Sequence, residues 1–385
     1  MNRWLIVGAG FTGAVLAERI ASVLEQRVLL IDRRQHVGGN AHDYLDAHGI
    51  LVHRYGPHIF HTNAPRVVEY LSQFTSWRPY EQRTLAWVDH RFVPVPFNFT
   101  SMEIIFGRSE GARLNKLLAD EYGTEVKVPI LKMIASPDQQ IRAVAGQIYE
   151  KIFLHYTTKQ WGLGPTELDP SVSARVPVHL SRDDRYFQDT FQKMPAHGYT
   201  RLFERMLDNR LIDIRLGAEF SETVTTETFH RIVFTGPIDE FFDRVHGPLP
   251  YRSLRFELTT IPGDGLAQEC GVYNYPTPRS MHPFTRVTEF RHLTGQSGIG
   301  ATTLATEYPE AYEPGRNEPY YPIPREENRE VFRRYQAEAG GLRAVLFAGR
   351  LADYSYYNMD QAVGRALAVF EKQLLPDARA GGGGQ

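Results

Sequence analysis

The chain has 385 residues, which at about 150 residues per domain corresponds to two or three domains. Its apolar content of 42%, charged content of 23% and formal net charge of −2 argue against a nucleic-acid-binding or disordered chain. The single cysteine, Cys270, excludes an internal disulfide and fits a reducing compartment. Of the 43 basic residues 36 are Arg, whose planar fork binds phosphate and carboxylate. This indicates an anionic ligand, with codon bias as an equal alternative.

Targeting and membrane segments are not expected. The N-terminal sequence runs into a glycine motif at Gly8 and leaves no room for a signal peptide. No apolar run approaches the roughly 20 residues that span a bilayer. We therefore expect a cytoplasmic protein without membrane insertion, and a flexible tail over residues 379–385.

The order of predicted elements indicates an α/β fold that is interrupted by other segments. Residues 4–8 and 27–32 read as buried strands that flank a helical pattern, as in a βαβ unit. Residues 98–150 carry helix formers at helical spacing. The alternation of apolar and polar residues at 83–97 and 251–259 predicts antiparallel strands. Buried strands return near residues 231 and 343, so the chain leaves its first domain and re-enters it.

A dinucleotide-binding motif follows the first strand. Gly8, Gly10 and Gly13 fill the pattern G-x-G-x-x-G, and Asp32 ends the next strand, where a carboxylate accepts hydrogen bonds from ribose. Arg33, with the arginine after it, raises the alternative of NADP, but Asp32 repels a 2′-phosphate. The motif thus favours FAD or NAD.

Two further segments favour FAD over NAD. The sequence HVGGN at 36–40 brings a second glycine loop under the same cofactor, and Gly349-Arg350 ends a buried strand just before a helix that begins near Asp360. The residues predicted to bind the cofactor are Gly8, Gly10, Phe11, Thr12, Gly13, Asp32, Arg33, Gly39, Asn40, His58, Arg350 and Asp360.

The predicted fold is therefore a Rossmann-like FAD-binding domain with an inserted helical domain and an antiparallel β-sheet domain. The boundaries are 1–80, 192–245 and 330–378 for the FAD-binding domain, 98–150 for the helical domain, and 81–97, 151–191 and 246–329 for the sheet domain.

Two further segments contain residues that suggest other kinds of site. His58 and His61 form H-x-x-H, but no cysteine is near and the segment reads as strand or loop, so we predict no metal and a histidine beside the cofactor or in the core.

The segment 156–187 has the composition of a mobile loop that closes on an anion, with Tyr156 and Trp161 as stacking faces. The alternative is an ordinary surface loop. No motif for a protein nucleophile is present.

These motifs together resemble the prokaryotic UDP-galactopyranose mutases. The matching segments are GAGFTGAVLAERI, DRRQHVGGNAHD, YGPHIFHT, YTTKQWG, DDRYF, EPYYPI and GRLADYSYYNMDQA. The resemblance implies a homodimer that interconverts UDP-galactopyranose and UDP-galactofuranose, a step in cell-wall polysaccharide biosynthesis. It implies that only reduced FAD is active, through a covalent iminium adduct between flavin N5 and the sugar, and that a reductant such as NAD(P)H is needed.

The resemblance also assigns roles to residues. It implies catalytic roles for Arg175, Arg286, His61 and Arg350, with the first two clamping the diphosphate, His61 beside the flavin ring and Arg350 at the flavin. The substrate-binding residues that it implies are Tyr156, Trp161, Arg175, Tyr186, Phe187, Asn274, Arg286, Tyr321 and Tyr356.

The chain departs from the family pattern at three positions. His179 and Asn358 stand where the family commonly has Arg and Asp, and Gln82 replaces a usual Asn. These changes leave a related sugar nucleotide as an alternative, UDP-N-acetylgalactosamine or a dTDP-sugar. A flavin amine oxidase-like oxidoreductase and a flavin-bearing protein that only binds sugar nucleotides also remain as alternatives.

Overall fold

The computed structural model describes residues 3–164, 167–169 and 176–377, so Arg175 and the predicted tail at 379–385 lie outside it. The strands are β1 Arg3–Val7, β2 Arg27–Asp32, β3 Asp43–Leu45, β4 Leu51–His53, β5 Phe60–Thr62, β6 Trp77–Pro79, β7 Thr84–Val88, β8 Arg91–Val95, β9 Lys127–Val128, β10 Val178–His179, β11 Phe191–Pro195, β12 Ile212–Leu216, β13 Arg231–Phe234, β14 Tyr251–Pro262, β15 Val272–Asn274, β16 Arg286–Glu289, β17 Ala301–Ala311, β18 Tyr321–Pro322 and β19 Val345–Phe347. The α-helices are α1 Phe11–Val23, α2 Pro65–Leu71, α3 Phe99–Phe106, α4 Arg108–Tyr122, α5 Ile130–Ile134, α6 Gln139–Ile148, α7 His155–Trp161, α8 Tyr199–Leu207, α9 Phe220–Thr226, α10 Ile238–Phe241, α11 Phe290–Thr294, α12 Glu326–Gly340 and α13 Met359–Val369.

A parallel five-stranded sheet, in the order β12-β2-β1-β13-β19, forms the Rossmann-like part of the fold. Its central strands are apolar runs because both faces are covered by other elements. Helix α1 contributes Ala14, Leu16 and Ile20 to the core, where α8 and α13 also pack. The strands come from three separate stretches of the chain, which confirms that the chain leaves this sheet and returns to it.

A second sheet of seven strands, in the order β18-β14-β17-β16-β15-β7-β8, carries the long antiparallel pair β14 and β17. The alternation at 83–97 and 251–259 correctly predicted strands there. One pair differs from the expected antiparallel pattern, because β15 and β7 run parallel with Val272 opposite Thr84. The two strands are far apart in the chain and are not joined by a hairpin, so they can pair in either the parallel or the antiparallel direction.

Helices α3 to α6 pack on the β7–β8 hairpin and share a core with it, including Val93, Phe97, Leu118 and Ile148. A π-helical stretch, Tyr149–Leu154, joins α6 to α7, so the helical run continues through the domain boundary predicted at residue 150. This run ends at Trp161, on the wall of a cavity. Among the described helices, none is long and apolar enough to cross a membrane.

Candidate active site

The first glycine motif borders a cavity of about 390 Å³ at the carboxyl ends of β1 and β2, which we call the first cavity. A volume of this size is typical of a small-molecule site. Gly8 and Gly10 line it, whereas Gly13 lies behind it. A Cβ atom on Gly13 would stand 1.9 Å from the carbonyl oxygen of Gly8. Gly13 therefore allows α1 to approach β1 closely, and this contact places the start of α1 at the cavity.

The second glycine loop packs directly against the first. The amide of Gly38 donates to the carbonyl of Ala9 at 2.9 Å, and a Cβ on Gly39 would stand 2.8 Å from the Cα of Gly10. Gly39 also has φ of +54°, a backbone conformation that favours glycine. The two loops thus leave bare backbone on one wall of the first cavity.

Acidic groups surround the arginines at the far end of the first cavity. The carboxylate of Asp32 accepts from the amides of Ala9 and Arg34, both at 2.8 Å. Glu318 accepts from Arg33 at 2.9 Å and from Arg34 at 2.8 Å. Burial opposes ionisation of Glu318, but the two arginines outweigh it and lower the pKa of this carboxyl. Two carboxylates at this end disfavour a 2′-phosphate and hence NADP.

Most of the predicted cofactor-binding residues line the first cavity. Those on its wall are Gly8, Gly10, Phe11, Thr12, Asp32, Arg33, Gly39, Asn40, His58 and Arg350. Asp360 lines a second cavity instead. Its Oδ2 accepts from the hydroxyl of Thr62 at 2.8 Å, whereas its buried Oδ1 has no partner among the described residues. An unpaired buried acceptor is the mark of a site that lacks a donor.

The second cavity, of about 370 Å³, adjoins the first. Four residues line both cavities: Asn40, His58, Arg350 and Met359. Together the two cavities extend from the glycine loops to the end of α7. The predicted substrate residues on the wall of the second cavity are Tyr156, Trp161, Tyr186, Phe187, Asn274, Arg286, Tyr321 and Tyr356.

Arg286 is the cation that the fold anchors most firmly in the second cavity. Its Nε and Nη2 lie 2.8 and 2.7 Å from Oε2 of Glu307, which is 1% exposed. Burial opposes the charge on Arg286, but Glu307 outweighs it and raises the pKa of the guanidinium. Glu307 engages Nε and Nη2, and no bond to Nη1 is found among the described residues, so Nη1 can bind an anionic ligand.

Aromatic side chains surround this arginine. The rings of Tyr321 and Tyr356 stack at 4.9 Å, and Trp161 lies 6.3 Å from each of them. Burial raises the pKa values of the Tyr156 and Tyr321 hydroxyls. Both are therefore protonated near neutral pH and can donate hydrogen bonds to phosphate oxygens.

His58 lines both cavities, whereas His61 lines only the second. The ring of His61 stacks on Phe187 at 3.6 Å. His58 uses Nδ1 to bond the carbonyl of Gly56 at 2.8 Å, and burial lowers its pKa to about 3. The described residues contain no group of three or more metal-ligand side chains.

The three departures from the family pattern have different positions. Gln82 lines the second cavity, but its amide bonds Tyr80, Thr84 and the carbonyl of Arg83. Asn358 lines the same cavity and caps the N-terminus of α13. Its side chain accepts from the backbone amide of Gln361, and the side chain of Gln361 accepts from the backbone amide of Asn358. His179 is buried in β10 and is not on the cavity wall. Only the first two can therefore alter ligand binding directly.

Sequence reasoning missed several residues of the site. Glu307 forms the ion pair with Arg286, and Tyr55, Gln160 and Tyr320 line the second cavity. A signal for Glu307 was present, because buried positions alternate along β17 and a charged side chain falls in phase with Ala305. The other three lie in irregular segments or at a helix end, where no period marks the inward face.

Comparison with known proteins agrees with this geometry. The family model for UDP-galactopyranose mutase matches residues 151–356, and a model for NAD(P)-binding Rossmann-like domains matches residues 6–74. A probable UDP-galactopyranose mutase from Klebsiella pneumoniae is 36% identical over 96% of this chain and 94% of its own length. The chain belongs to the UDP-galactopyranose mutase family.

Two other matches bear on the alternatives. A dTDP-fucopyranose mutase from Escherichia coli is 33% identical over 95% of this chain and 97% of its own length. A crystal structure of reduced UDP-galactopyranose mutase has the same fold, with a TM-score of 0.72 and 17% identity over 97% of this chain and 96% of that one. Family membership supports a flavin cofactor, and the two relatives are named for different sugar nucleotides, a UDP-sugar and a dTDP-sugar.

A buried histidine at the base of the site makes stability depend on pH. His53 is 2% exposed, its Nδ1 accepts from the amide of His58 at 3.0 Å, and burial lowers its pKa to about 3. Between about pH 6.5 and 3 the unfolded chain binds a proton here that the folded protein does not, so stability falls as pH falls. This group contributes up to about 1.4 kcal/mol per pH unit.

We expect the free energy of unfolding in urea to fall more between pH 7 and pH 5 in the wild type than in His53→Asn, in which the asparagine oxygen replaces Nδ1 as the acceptor. The cavity left by asparagine lowers this free energy equally at both pH values, so it does not affect the comparison. An equal fall in the two proteins would mean that His53 does not stay neutral in the folded state.

Proposed function

We propose that the protein is a reduced-FAD-dependent mutase that interconverts UDP-galactopyranose and UDP-galactofuranose. The observation that carries the proposal is the adjoining pair of cavities, one bordered by glycine loops and the other containing Arg286 on a buried carboxylate. Because the two cavities share wall residues, FAD bound in the first would lie beside a sugar nucleotide that Arg286 binds in the second.

The residues of the first cavity fit FAD. Close packing of Gly10 on Gly39 leaves backbone where a Cβ would occupy the space of a ligand. Asp32 lines the cavity and suits a ribose, and Glu318 neutralises the arginines that a 2′-phosphate needs. When bound and reduced, FAD supplies a nucleophilic nitrogen for the anomeric carbon of the sugar.

The protein's own residues bind and orient the substrate. Arg286 and the protonated hydroxyls of Tyr156 and Tyr321 surround a site for the diphosphate, which carries most of the ligand's charge. Arg350 lines both cavities, and its Nη2 donates to the carbonyl of Tyr357 at 2.8 Å, which holds its charge at the junction. Arginine at this point stabilises negative charge on the diphosphate leaving group and on the flavin.

A dTDP-sugar is the second candidate substrate. The E. coli relative that is named as a dTDP-fucopyranose mutase matches almost as well as the Klebsiella relative. Gln82 is on the cavity wall and differs from the family pattern, which supports a test of the base as well as the sugar. The reaction type is the same for both substrates.

The proposal is tested by anaerobic incubation of the FAD-loaded protein with UDP-galactofuranose and, separately, with dTDP-fucopyranose. Products are separated by chromatography after reduction with dithionite or NADPH, and in parallel with oxidised protein. We expect conversion of the UDP-sugar by the reduced protein alone, without reductant being consumed in each turnover.

Other results contradict the proposal in recognisable ways. Turnover by oxidised protein with uptake of oxygen identifies an oxidase. Binding of the UDP-sugar without conversion by fully reduced protein identifies a binding protein. Conversion of the dTDP-sugar alone moves the assignment to the second candidate.

A further inference from the structure

Asp189 is a carboxylate next to the second cavity that neither the motifs nor the proposed function use. Its Oδ2 lies 2.8 Å from Nδ1 of His61, and the two side chains are 24% and 14% exposed. His61 lines the cavity and is held flat against Phe187. The ring therefore has one nitrogen on Asp189, while no bond to Nε2 is found among the described residues.

A backbone amide determines which way the side-chain amide of Asn63 faces in this network. The amide of Thr190 donates to Oδ1 of Asn63 at 2.8 Å, so the NH₂ group of Asn63 must face Asp189, to which it donates at 2.7 Å. Both oxygens of the carboxylate thus act as acceptors. An acceptor opposite Nδ1 requires that this nitrogen carry the proton.

Strands β5 and β11 support both His61 and Asp189. His61 on β5 pairs with Gln192 on β11, and the side-chain Nε2 of Gln192 donates at 3.0 Å to the carbonyls of Phe187 and Asp189. The stacking ring and the carboxylate are thereby fixed to the strand next to the one that carries the imidazole. A network held in this way restricts both the angle and the tautomer of the ring.

We propose that Asp189 is a positioning residue that holds His61 in the Nδ1-protonated tautomer, so that Nε2 accepts a hydrogen bond from a hydroxyl group of the bound sugar. The sugar hydroxyl rests on the proposed function, whereas the tautomer does not. An imidazole with its proton on the other nitrogen presents a donor to that hydroxyl and fails to orient it for ring opening and closure.

Asp189→Asn is the informative variant. Asn63 still presents its NH₂ group to the new side chain, which must turn its oxygen toward Asn63 and its own NH₂ group toward His61. Nδ1 then has to accept, and the proton moves to Nε2. The substitution changes the tautomer with almost no change in volume, much as an aspartate-to-asparagine change acts in a catalytic triad.

Tautomers are read from long-range ¹H–¹⁵N correlation spectra of the FAD-loaded protein with ¹⁵N-labelled histidine, assigned with His61→Gln. We expect the His61 proton on Nδ1 in the wild type and on Nε2 in Asp189→Asn. His58, bonded to a backbone carbonyl, serves as an internal control and stays Nδ1-protonated in both. Asn63→Ala keeps the carboxylate and should keep the wild-type tautomer.

Kinetics of the reduced proteins with UDP-galactofuranose provide the second readout. We expect kcat to fall at least tenfold in Asp189→Asn, with KM changed less than threefold. If that variant loses its flavin, Asp189→Ala replaces it, and formate should restore activity and tautomer. An unchanged tautomer or an unchanged kcat overturns the proposal. A wild type that does not turn over overturns the proposed function and the sugar hydroxyl with it, while the spectra still report on the tautomer.

Discussion

Alanine at Arg286 should lower kcat/KM at least tenfold and the free energy of unfolding by about 3 kcal/mol. The first effect follows because a charge-assisted bond to phosphate contributes about 1.5–3 kcal/mol. The second follows because Glu307 is 1% exposed and loses the cation that compensates its charge. Steady-state kinetics of the reduced enzyme and urea unfolding measure the two effects separately.

A paired variant separates the structural role of Arg286 from its role in binding. Replacing Arg286 by Met and Glu307 by Gln removes both charges, so stability should return to within about 1 kcal/mol of the wild type. Activity should stay as low as in the single variant. Arg255→Ala, at an exposed position of β14 where the carboxylate partners Glu257 and Glu310 are 53% and 34% exposed, is the matched control and should change neither quantity. An active paired variant would show that Arg286 does not bind the diphosphate.

The part of the fold that the sequence predicts best is the part made by neighbours in the chain. The unit β1–α1–β2 has its glycines, helical period and terminal Asp32 within one short segment, and the structure forms both strands and the helix there, with Gly8, Gly10 and Asp32 on the wall of the first cavity and Gly13 behind it. Most residues assigned by resemblance also line one cavity. They lie together because the matching segments are spread over most of the chain and therefore specify its overall topology.

What the sequence could not supply are contacts between distant segments. Glu318 pairs with Arg33 and Arg34, which precede it by 285 and 284 residues, and no local pattern links them. Asp189 is one polar residue in a polar loop until the pairing of β5 with β11 brings it to His61. The parallel pairing of β15 with β7 is equally invisible, because strand direction depends on the path of the intervening chain.

Gly13→Ala should destabilise the protein by about 3 kcal/mol or more and abolish retention of FAD. The new Cβ would stand 1.9 Å from the carbonyl oxygen of Gly8 and 3.2 Å from a methyl group of Ile6. The obstacle is backbone, which cannot rotate away as a side chain could. Helix α1 must therefore move off β1, and its N-terminus then leaves the first cavity. Thermal unfolding and the ratio of flavin to protein absorbance measure both effects.

Gly146→Ala is the matched control for this substitution. Gly146 is exposed on α6, and a Cβ there meets no atom within 4 Å. Alanine at this position should retain FAD fully and stabilise the helix by about 0.5–1 kcal/mol. If Gly13→Ala also retained FAD and stability, α1 would have to pack on β1 with more space than the structure gives it. The position of the dinucleotide site would then need revision. Loss of FAD without loss of stability would instead mean that the methyl group introduced at position 13 contacts the cofactor itself.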